Sequence, residues 1–488
     1  MLTINTLFNL IYISLYWIII TIVTIRVLLK QQPVTETMTW LLIIYIIPII
    51  GIISYLIFTE LQLGKRRIAK ANNIWPLVTI YSKKMKLSTN IHSISNSKVA
   101  TPLFKLCKNR QGIDGIKVNK LELFTCYINA INNLIHDINL ASYNIEMVFY
   151  TWQMGGLVNK VTEALIIAAK RGIKCRIMID SAGSWSFFHS KEPKKMRDAG
   201  IELIESLKVN IFRFFLRRMD LRQHRKIIII DNYISYVGSM NMVDPRFYKQ
   251  NTNIGPWIDI IIRMEGAISN RLSIIYAFDW ELETEEHILS IIPTYKKDIT
   301  NFNQLNKNLT QIIASGPGFP KNLMQQSLIT AIYSANKQLI LTTPYFVPTD
   351  NLINAICTAA MRGVEVYIII PKKNNSFLVS WASKAFYTEL LEAGVKIYHF
   401  HNGLLHVKSI TVDNELSLIG SVNLDTRSLC LNFEIAIVID DKIFGNTLSL
   451  LQQSYISNST LISLKEWNIR PIWNKIIERI CYFFSPLL

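Results

Sequence analysis

Two long apolar runs open the chain. Leu7 to Leu29 is apolar apart from Asn9, Ser14, Thr21, Thr24 and Arg26, and Met38 to Phe58 is apolar apart from Thr39 and Ser54. A helix rises about 1.5 Å per residue, so about 20 residues cross a bilayer core of about 30 Å. Both runs are long enough, and KQQPVTET between them is too short for a domain. The pattern predicts a two-helix transmembrane hairpin over residues 1–64, with spans at about 7–29 and 38–58. Pro48 and Gly51 are tolerable in such a helix. A cleaved signal peptide needs a positively charged start, which MLTINT lacks. Lys65, Arg66, Arg67 and Lys70 follow the second run, against Arg26 and Lys30 beside the hairpin loop. The larger cluster favours the cytoplasmic side for everything after residue 60.

Beyond a linker at 65–99 the periodicity changes. VNKVTEALIIAAKRGIKCRIMID reads as an amphipathic helix, a glycine stop and a buried β-branched strand, and NLINAICTAAMRGVEVYIIIP has the same shape. AAKRG at 168–172 recurs as AAMRG at 359–363, and DAGIELI at 198–204 recurs as EAGVKIY at 392–398. Ordered matches at a nearly constant offset predict a duplicated α/β domain. Its halves are expected at 100–310 and 311–488, divided near the Gly/Pro loop ASGPGFP at 314–320.

Composition sharpens this. Of the 488 residues 50% are hydrophobic and only 18% charged, yet Lys+Arg 52 against Asp+Glu 35 leaves a formal +17. Mean hydropathy is +0.24, high for a purely soluble chain. Basic charge suits nucleic acid, anionic lipid or a phosphorylated substrate. Ile, Asn and Lys are abundant throughout, so the bias of an AT-rich genome accounts equally well for the excess. Cys107, Cys126, Cys175, Cys357, Cys430 and Cys481 form no CxxC pair and no zinc-spaced cluster, which predicts buried free thiols in a reducing compartment.

The chemistry lies in a repeated segment. HRKIIIIDNYISYVGSMN begins at His224 and HVKSITVDNELSLIGSVN at His406. Residues i and i+2 of a strand share a face, so His224 projects with Lys226 and His406 with Lys408. Asp231 and Asp413 each begin a turn, making each motif a β-hairpin. Neutral imidazole is a nucleophile near neutral pH, and an ammonium group holds an anion. Ser239, Asn241, Ser421 and Asn423 add neutral donors. Together these groups suit a phosphodiester: one imidazole attacks phosphorus and the other protonates the leaving alcohol. A lone His-x-Lys is usually a surface pair; two copies with matched spacing to Asp and then G-S-x-N favour catalysis. No metal or cofactor is expected, because the fixed donors supply the electrostatics.

These segments resemble the paired H-x-K-x4-D motifs of the phospholipase D superfamily. The flanking GSMNMVDPRFYKQ and GSVNLDTRSLCLNFEIAIVID, the twin amino-terminal runs and the tail RPIWNKIIERICYFFSPLL resemble the bacterial cardiolipin synthases within it. The resemblance implies two similar α/β domains about a pseudo-two-fold axis, each giving half of one active site. It implies a membrane phosphatidyltransferase that joins two phosphatidylglycerol molecules, releases glycerol and passes through a phosphohistidine. The catalytic set carries over to His224, Lys226, Asp231, His406, Lys408 and Asp413. His224 is the expected nucleophile and His406 the acid, and the aspartates serve hairpin geometry. A further carboxylate orients each histidine in relatives, with Glu434 and Asp259 the candidates. The expected location is the bacterial inner membrane, multi-pass, among phosphatidylglycerol and other anionic lipids.

Rival readings are a phospholipid hydrolase, a phosphatidylserine synthase or a nuclease of the same superfamily. Two spanning helices disfavour freely diffusing nucleic-acid chemistry. A membrane scaffold needs no paired motif, and metal hydrolysis has no ligand cluster here. Two segments remain open. RPIWNKIIERICYFFSPLL is either an interfacial amphipathic helix or one docked on the catalytic body. NIFRFFLRRMDLRQHRK at 210–226 is either a lipid-facing rim or a solvated strand and loop.

Overall fold

The computed structural model describes residues 4–30, 34–56, 65–89, 97–208, 221–249, 254–292 and 308–485. The chain divides into a small unit built mainly on the residues up to Arg67 and a large α/β unit. In the small unit, helix Ile4–Leu29 is followed by helices Val34–Ile46 and Pro48–Tyr55. The second apolar run is therefore broken rather than continuous. Pro48 has no amide hydrogen and disfavours helical geometry at Ile47, which sits at φ −132 and ψ 73. Gly51 permits the resulting close packing: a β-carbon there would lie 2.7 Å from the Ile43 carbonyl oxygen. Val23, Val27, Trp40, Ile44 and Tyr55 form the core, and Thr24 hydrogen-bonds Tyr45 at 3.2 Å. Among the described residues only Phe8–Leu29 is long and apolar enough to cross a bilayer as one helix; Thr37–Ile46 is shorter.

The stretch expected as a linker holds helix Lys65–Thr89. It is fastened to the α/β unit: Trp75 meets the rings of Phe319 at 4.8 Å and Phe278 at 5.8 Å, and Arg271 donates to the Ser82 carbonyl.

Each motif copy lies in its own sheet. The first sheet runs in the order Lys120–Phe124, Ile261–Glu265, Ile234–Gly238, Ile227–Ile230, Asn144–Phe149, Lys174–Asp180, Glu202–Ser206. The second contains Glu434–Asp440, Leu416–Gly420, Ser409–Val412, Gln338–Thr342, Glu365–Pro371 and Lys396–Phe400 in the matching order. It is extended by Ile116–Lys117 and Leu309–Ser315 on one edge and Ser459–Leu461 on the other. Strand order and direction thus repeat, as duplication requires. Strands such as Ile227–Ile230 are buried throughout because helices cover both faces.

The halves are stitched together. Val99, Leu103, Phe104 and Cys107, on the first-half side of the expected boundary, pack in the second half's core. Helix Ala267–Glu283 packs against strands of both sheets, which explains its burial along nearly its whole length. Two short parallel pairings cross between halves, Gln223 with Phe433 and Leu404–Leu405 with Trp257–Ile258. No disulfide joins the six cysteines; four are buried, whereas Cys126 and Cys430 are exposed, against the expectation of buried thiols.

Candidate active site

His224 and Lys226 precede strand Ile227–Ile230, and His406 and Lys408 precede Ser409–Val412. The motif therefore occupies the extended approach to each strand rather than the strand itself. The crossing segments fix these approaches: the His224 amide donates to the Phe433 carbonyl at 3.0 Å, and the His406 amide to Ile258 at 2.8 Å. Each histidine is thus anchored to the opposite half.

The side chains repeat that exchange. His224 Nδ1 lies 2.8 Å from Glu434 Oε1 and 2.9 Å from Oε2, and His406 Nδ1 lies 2.7 Å from Asp259 Oδ1. With a carboxylate beside it, Nδ1 carries the hydrogen, and the other ring nitrogen, Nε2, keeps its lone pair. Lys226 Nζ donates to the His224 carbonyl at 2.7 Å, and Lys408 Nζ to the His406 carbonyl at 2.6 Å.

Both G-S pairs act as clamps for the carboxylates. A β-carbon on Gly238 would fall 2.3 Å from the Ile260 carbonyl oxygen, and one on Gly420 would fall 2.1 Å from that of Ile435. This closeness lets Ser239 N donate to Ile260 O and Ser421 N to Ile435 O, both at 2.9 Å. Each serine hydroxyl accepts the return bond, from Ile260 N at 3.1 Å and Ile435 N at 3.0 Å. Ser421 Oγ also donates to Glu434. These serines support the carboxylates and are fully buried. Asn241 accepts from the Thr151 amide at 3.2 Å, and Asn423 donates to Ser428 at 3.3 Å.

Asp231 and Asp413 lie at the other end of the hairpins. Asp231 accepts from the amides of Ser142, Tyr143 and Asn144 at 2.9, 2.7 and 3.1 Å. Asp413 accepts from Asn336, Lys337 and Gln338 at 2.8, 2.7 and 2.8 Å. Both are left-handed, with φ of 52 and 53, as are Asn232 and Asn414 after them. Five residues of extended chain, about 16 Å, separate each aspartate from its lysine. The aspartates hold hairpin to neighbouring strand.

Burial dominates the electrostatics. It lowers the His224 imidazole to about 4; Glu434 pulls upward, while Lys226 and Lys408 press further down. His406 is likewise lowered by burial to about 4, with Lys408 and Lys226 adding to the fall and Asp259 opposing it. Lysines of both motifs therefore bear on each imidazole, alongside the backbone and carboxylate contacts that cross between the halves. Burial also lowers Lys226 to about 8 against the pull of Glu434 and Asp259, and holds Lys408 well below its ordinary range. Burial is the largest influence on Glu434 and Asp259 and would raise both, but His224 with Lys226 and Ser421, and His406 with Lys408 and Ser239, together keep each carboxylate below its usual value.

Aromatic rings wall the site. Tyr150 meets His224 edge-on at 5.1 Å, and Trp257 and Tyr345 stand 4.8 and 6.4 Å from His406. Arg225, fully buried, pairs with Asp279 and donates to the carbonyls of Glu434 at 3.1 Å and Ser315 at 2.9 Å. Its guanidinium lies 4.5 Å from the Phe319 ring. Sequence reasoning missed these residues; only Arg225 gave a signal, as a charge within an apolar run. The basic-aromatic segment 210–226 lies largely outside the described residues.

Comparison with known proteins agrees with this architecture. The model described as "Cardiolipin synthase, PLD-like domain" matches residues 134–259 and 328–455, together just over half of the chain. The model described as "Phospholipase_D-nuclease N-terminal" matches residues 17–58. Cardiolipin synthase A of Proteus mirabilis (strain HI4320) is 61% identical over 473 residues, covering 97% of each chain. Cardiolipin synthase A of Yersinia pseudotuberculosis serotype IB (strain PB1/+) is 56% identical with the same coverage. The crystal structure of phosphatidylserine synthase from Haemophilus influenzae Rd KW20 shares the fold, with a TM-score of 0.57 at 15% identity, covering 79% of this chain and 100% of that one. Two α/β halves that trade carboxylates across paired H-x-K motifs, and near-full-length identity of this order, make the chain a member of the cardiolipin synthase family of the phospholipase D superfamily.

Proposed function

We propose that the chain transfers a phosphatidyl group from one phosphatidylglycerol to a second, giving cardiolipin and glycerol. The reading is carried by the reciprocal pairing of His224 with Glu434 and His406 with Asp259. Each carboxylate leaves the far nitrogen of its imidazole available, and the lysines of both copies bear on that space.

His224 Nε2, neutral at physiological pH, attacks phosphorus. The P–O bond to glycerol breaks, and His406 gives its proton to the leaving alkoxide. The bound phosphodiester makes this division of labour possible. Its negative charge offsets Lys226 and Lys408, which in the empty site depress both imidazoles, so His406 becomes easier to protonate. A hydroxyl of the second phosphatidylglycerol then gives its proton to His406 and attacks the phosphohistidine. The P–N bond breaks, and cardiolipin leaves. The lysines hold the non-bridging oxygens throughout. An apolar helix long enough to cross a bilayer, Phe8–Leu29, suits a protein that works on lipid at a membrane. We place both apolar runs across it, with the α/β unit on the cytoplasmic side, from the Lys65, Arg66, Arg67 and Lys70 cluster. The domain reading that goes with this is a hairpin to about 64, a helical connector, and halves meeting near 310.

The test is mass spectrometry of protein quenched during turnover of phosphatidylglycerol, with product analysis alongside. The expected adduct is on His224, is absent from His224→Asn, and accumulates in His406→Asn. An adduct on His406 reverses the roles. Phosphatidic acid without cardiolipin points to hydrolysis and rejects the transfer.

A further inference from the structure

The C-terminal helix Ile472–Phe483 packs one face on the α/β unit, with Ile477 and Tyr482 against its core, and leaves a second apolar face outward. Its inward side carries Glu478, 3% exposed and held by Arg470 at 2.9 and 3.1 Å, and the buried Cys481. Tyr482 packs edge-on against Phe386 at 5.2 Å. The outward stripe is Ile472, Trp473, Ile476, Ile480 and Phe483, exposed by 68, 70, 41, 56 and 36%. Positions 472, 476, 480 and 483 follow the three-to-four spacing of one helix face. Ile469, just before the helix, is 82% exposed. A helix that buries a glutamate and presents isoleucine and tryptophan is not finished by water. Scattered apolar residues on a surface are ordinary, but a continuous stripe marks an interaction face.

Lys475 and Arg479 are exposed on one flank of the stripe. Apolar stripe, cationic edge and a tryptophan near one end are the parts of a helix that lies in the headgroup plane of an anionic bilayer. A second copy suits the face less well, because a two-fold pairing would bring the like charges of Lys475 and Arg479 together. We propose that this helix is a second membrane attachment, inserting its stripe into anionic lipid and holding the α/β unit at the surface where its substrate lies.

The experiment uses the full chain in phosphatidylglycerol/phosphatidylcholine vesicles. Exposed Cys126 and Cys430 are replaced by Ser, and Ile480→Cys carries an environment-sensitive fluorophore. Nitroxide on shallow acyl positions of the lipid should quench the label, and aqueous iodide should not. Quenching by iodide alone, or label self-quenching that grows with protein density, overturns the proposal in favour of water or a second copy. The variant Ile476→Asp/Ile480→Asp should raise the apparent KM for vesicle phosphatidylglycerol about tenfold, as for about 1.4 kcal/mol of lost attachment. Its kcat in detergent mixed micelles should hold, which also reports that it folds. An unchanged vesicle KM, or equal loss in both media, overturns the proposal, whereas loss of phosphohistidine chemistry would strike the catalytic reading instead.

Discussion

Replacing Asp413 by Ala tests whether the motif aspartate is chemistry or carpentry. Its carboxylate accepts three amide hydrogen bonds at 2.8, 2.7 and 2.8 Å, joining the hairpin tip to the start of strand Gln338–Thr342. A hydrogen bond to a charged group contributes about 1.5–3 kcal/mol when buried. Asp413 is only half-buried, so about 1 kcal/mol each is the fair figure. The backbone at φ 53 adds a cost of about 1 kcal/mol for alanine, which tolerates that region less well than aspartate or asparagine. Asp413→Ala should therefore lose about 4 kcal/mol in all. Asp413→Asn, which keeps an acceptor oxygen and the tolerance for positive φ, should lose about 1 kcal/mol. In a chain of this size about 2 °C accompanies each kcal/mol, so the alanine variant should melt about 8 °C lower. Turnover per folded molecule should stay within a few-fold of the parent. The assay is thermal inactivation of purified protein together with kcat measured well below the midpoint. A variant that melts like the parent but has lost turnover a thousandfold would refute the structural assignment.

Glu434→Gln keeps the shape beside His224 but removes the charge that orients the imidazole, so kcat should fall by about 10²–10⁴ with KM little changed; full activity would remove Glu434 from the site. Arg225→Met strands Asp279 in the core and should cost about 3–5 kcal/mol, whereas Arg225→Met/Asp279→Leu should regain much of that stability. The double variant should still turn over slowly, because the Glu434 main chain has lost its anchor; chemical denaturation and kcat together decide it. Acid should loosen the fold through the histidines. Each imidazole sits near 4 when folded against an ordinary value near 6.5, so stability is fully present above about 6.5 and is lost as pH falls towards 4. The loss is about 3 kcal/mol per histidine at most, and His406→Asn should flatten part of the slope. A denaturation midpoint constant between those pH values would show that the rings are not protected.

The sequence was most legible where chemistry repeats. Paired H-x-K-x4-D segments, matched helix–glycine–strand pieces and an apolar amino terminus each rest on local spacing, which a one-dimensional chain displays directly. Glu434 and Asp259 entered only as candidates, through a resemblance. Nothing in the residues themselves said which histidine each would serve, because both pairings cross between halves. Asp231 and Asp413 share a motif with the histidines yet stand a strand's length from them, since adjacency in sequence becomes distance along an extended segment.

Other features depended wholly on packing. Pro48 is tolerable in a membrane helix in general, but the close seat of Gly51 on Ile43 accompanies a break in this one. The tail was equally readable as docked or interfacial because amphipathicity does not say which side faces the body; burial of Glu478 and Cys481 does. By itself, then, the sequence determined two α/β copies, an apolar amino terminus and the reactive groups at each motif, because spacing and side-chain type are properties of the chain. Only the tertiary structure decided that each histidine takes its carboxylate from the other half, because those contacts are made by packing between segments remote in sequence.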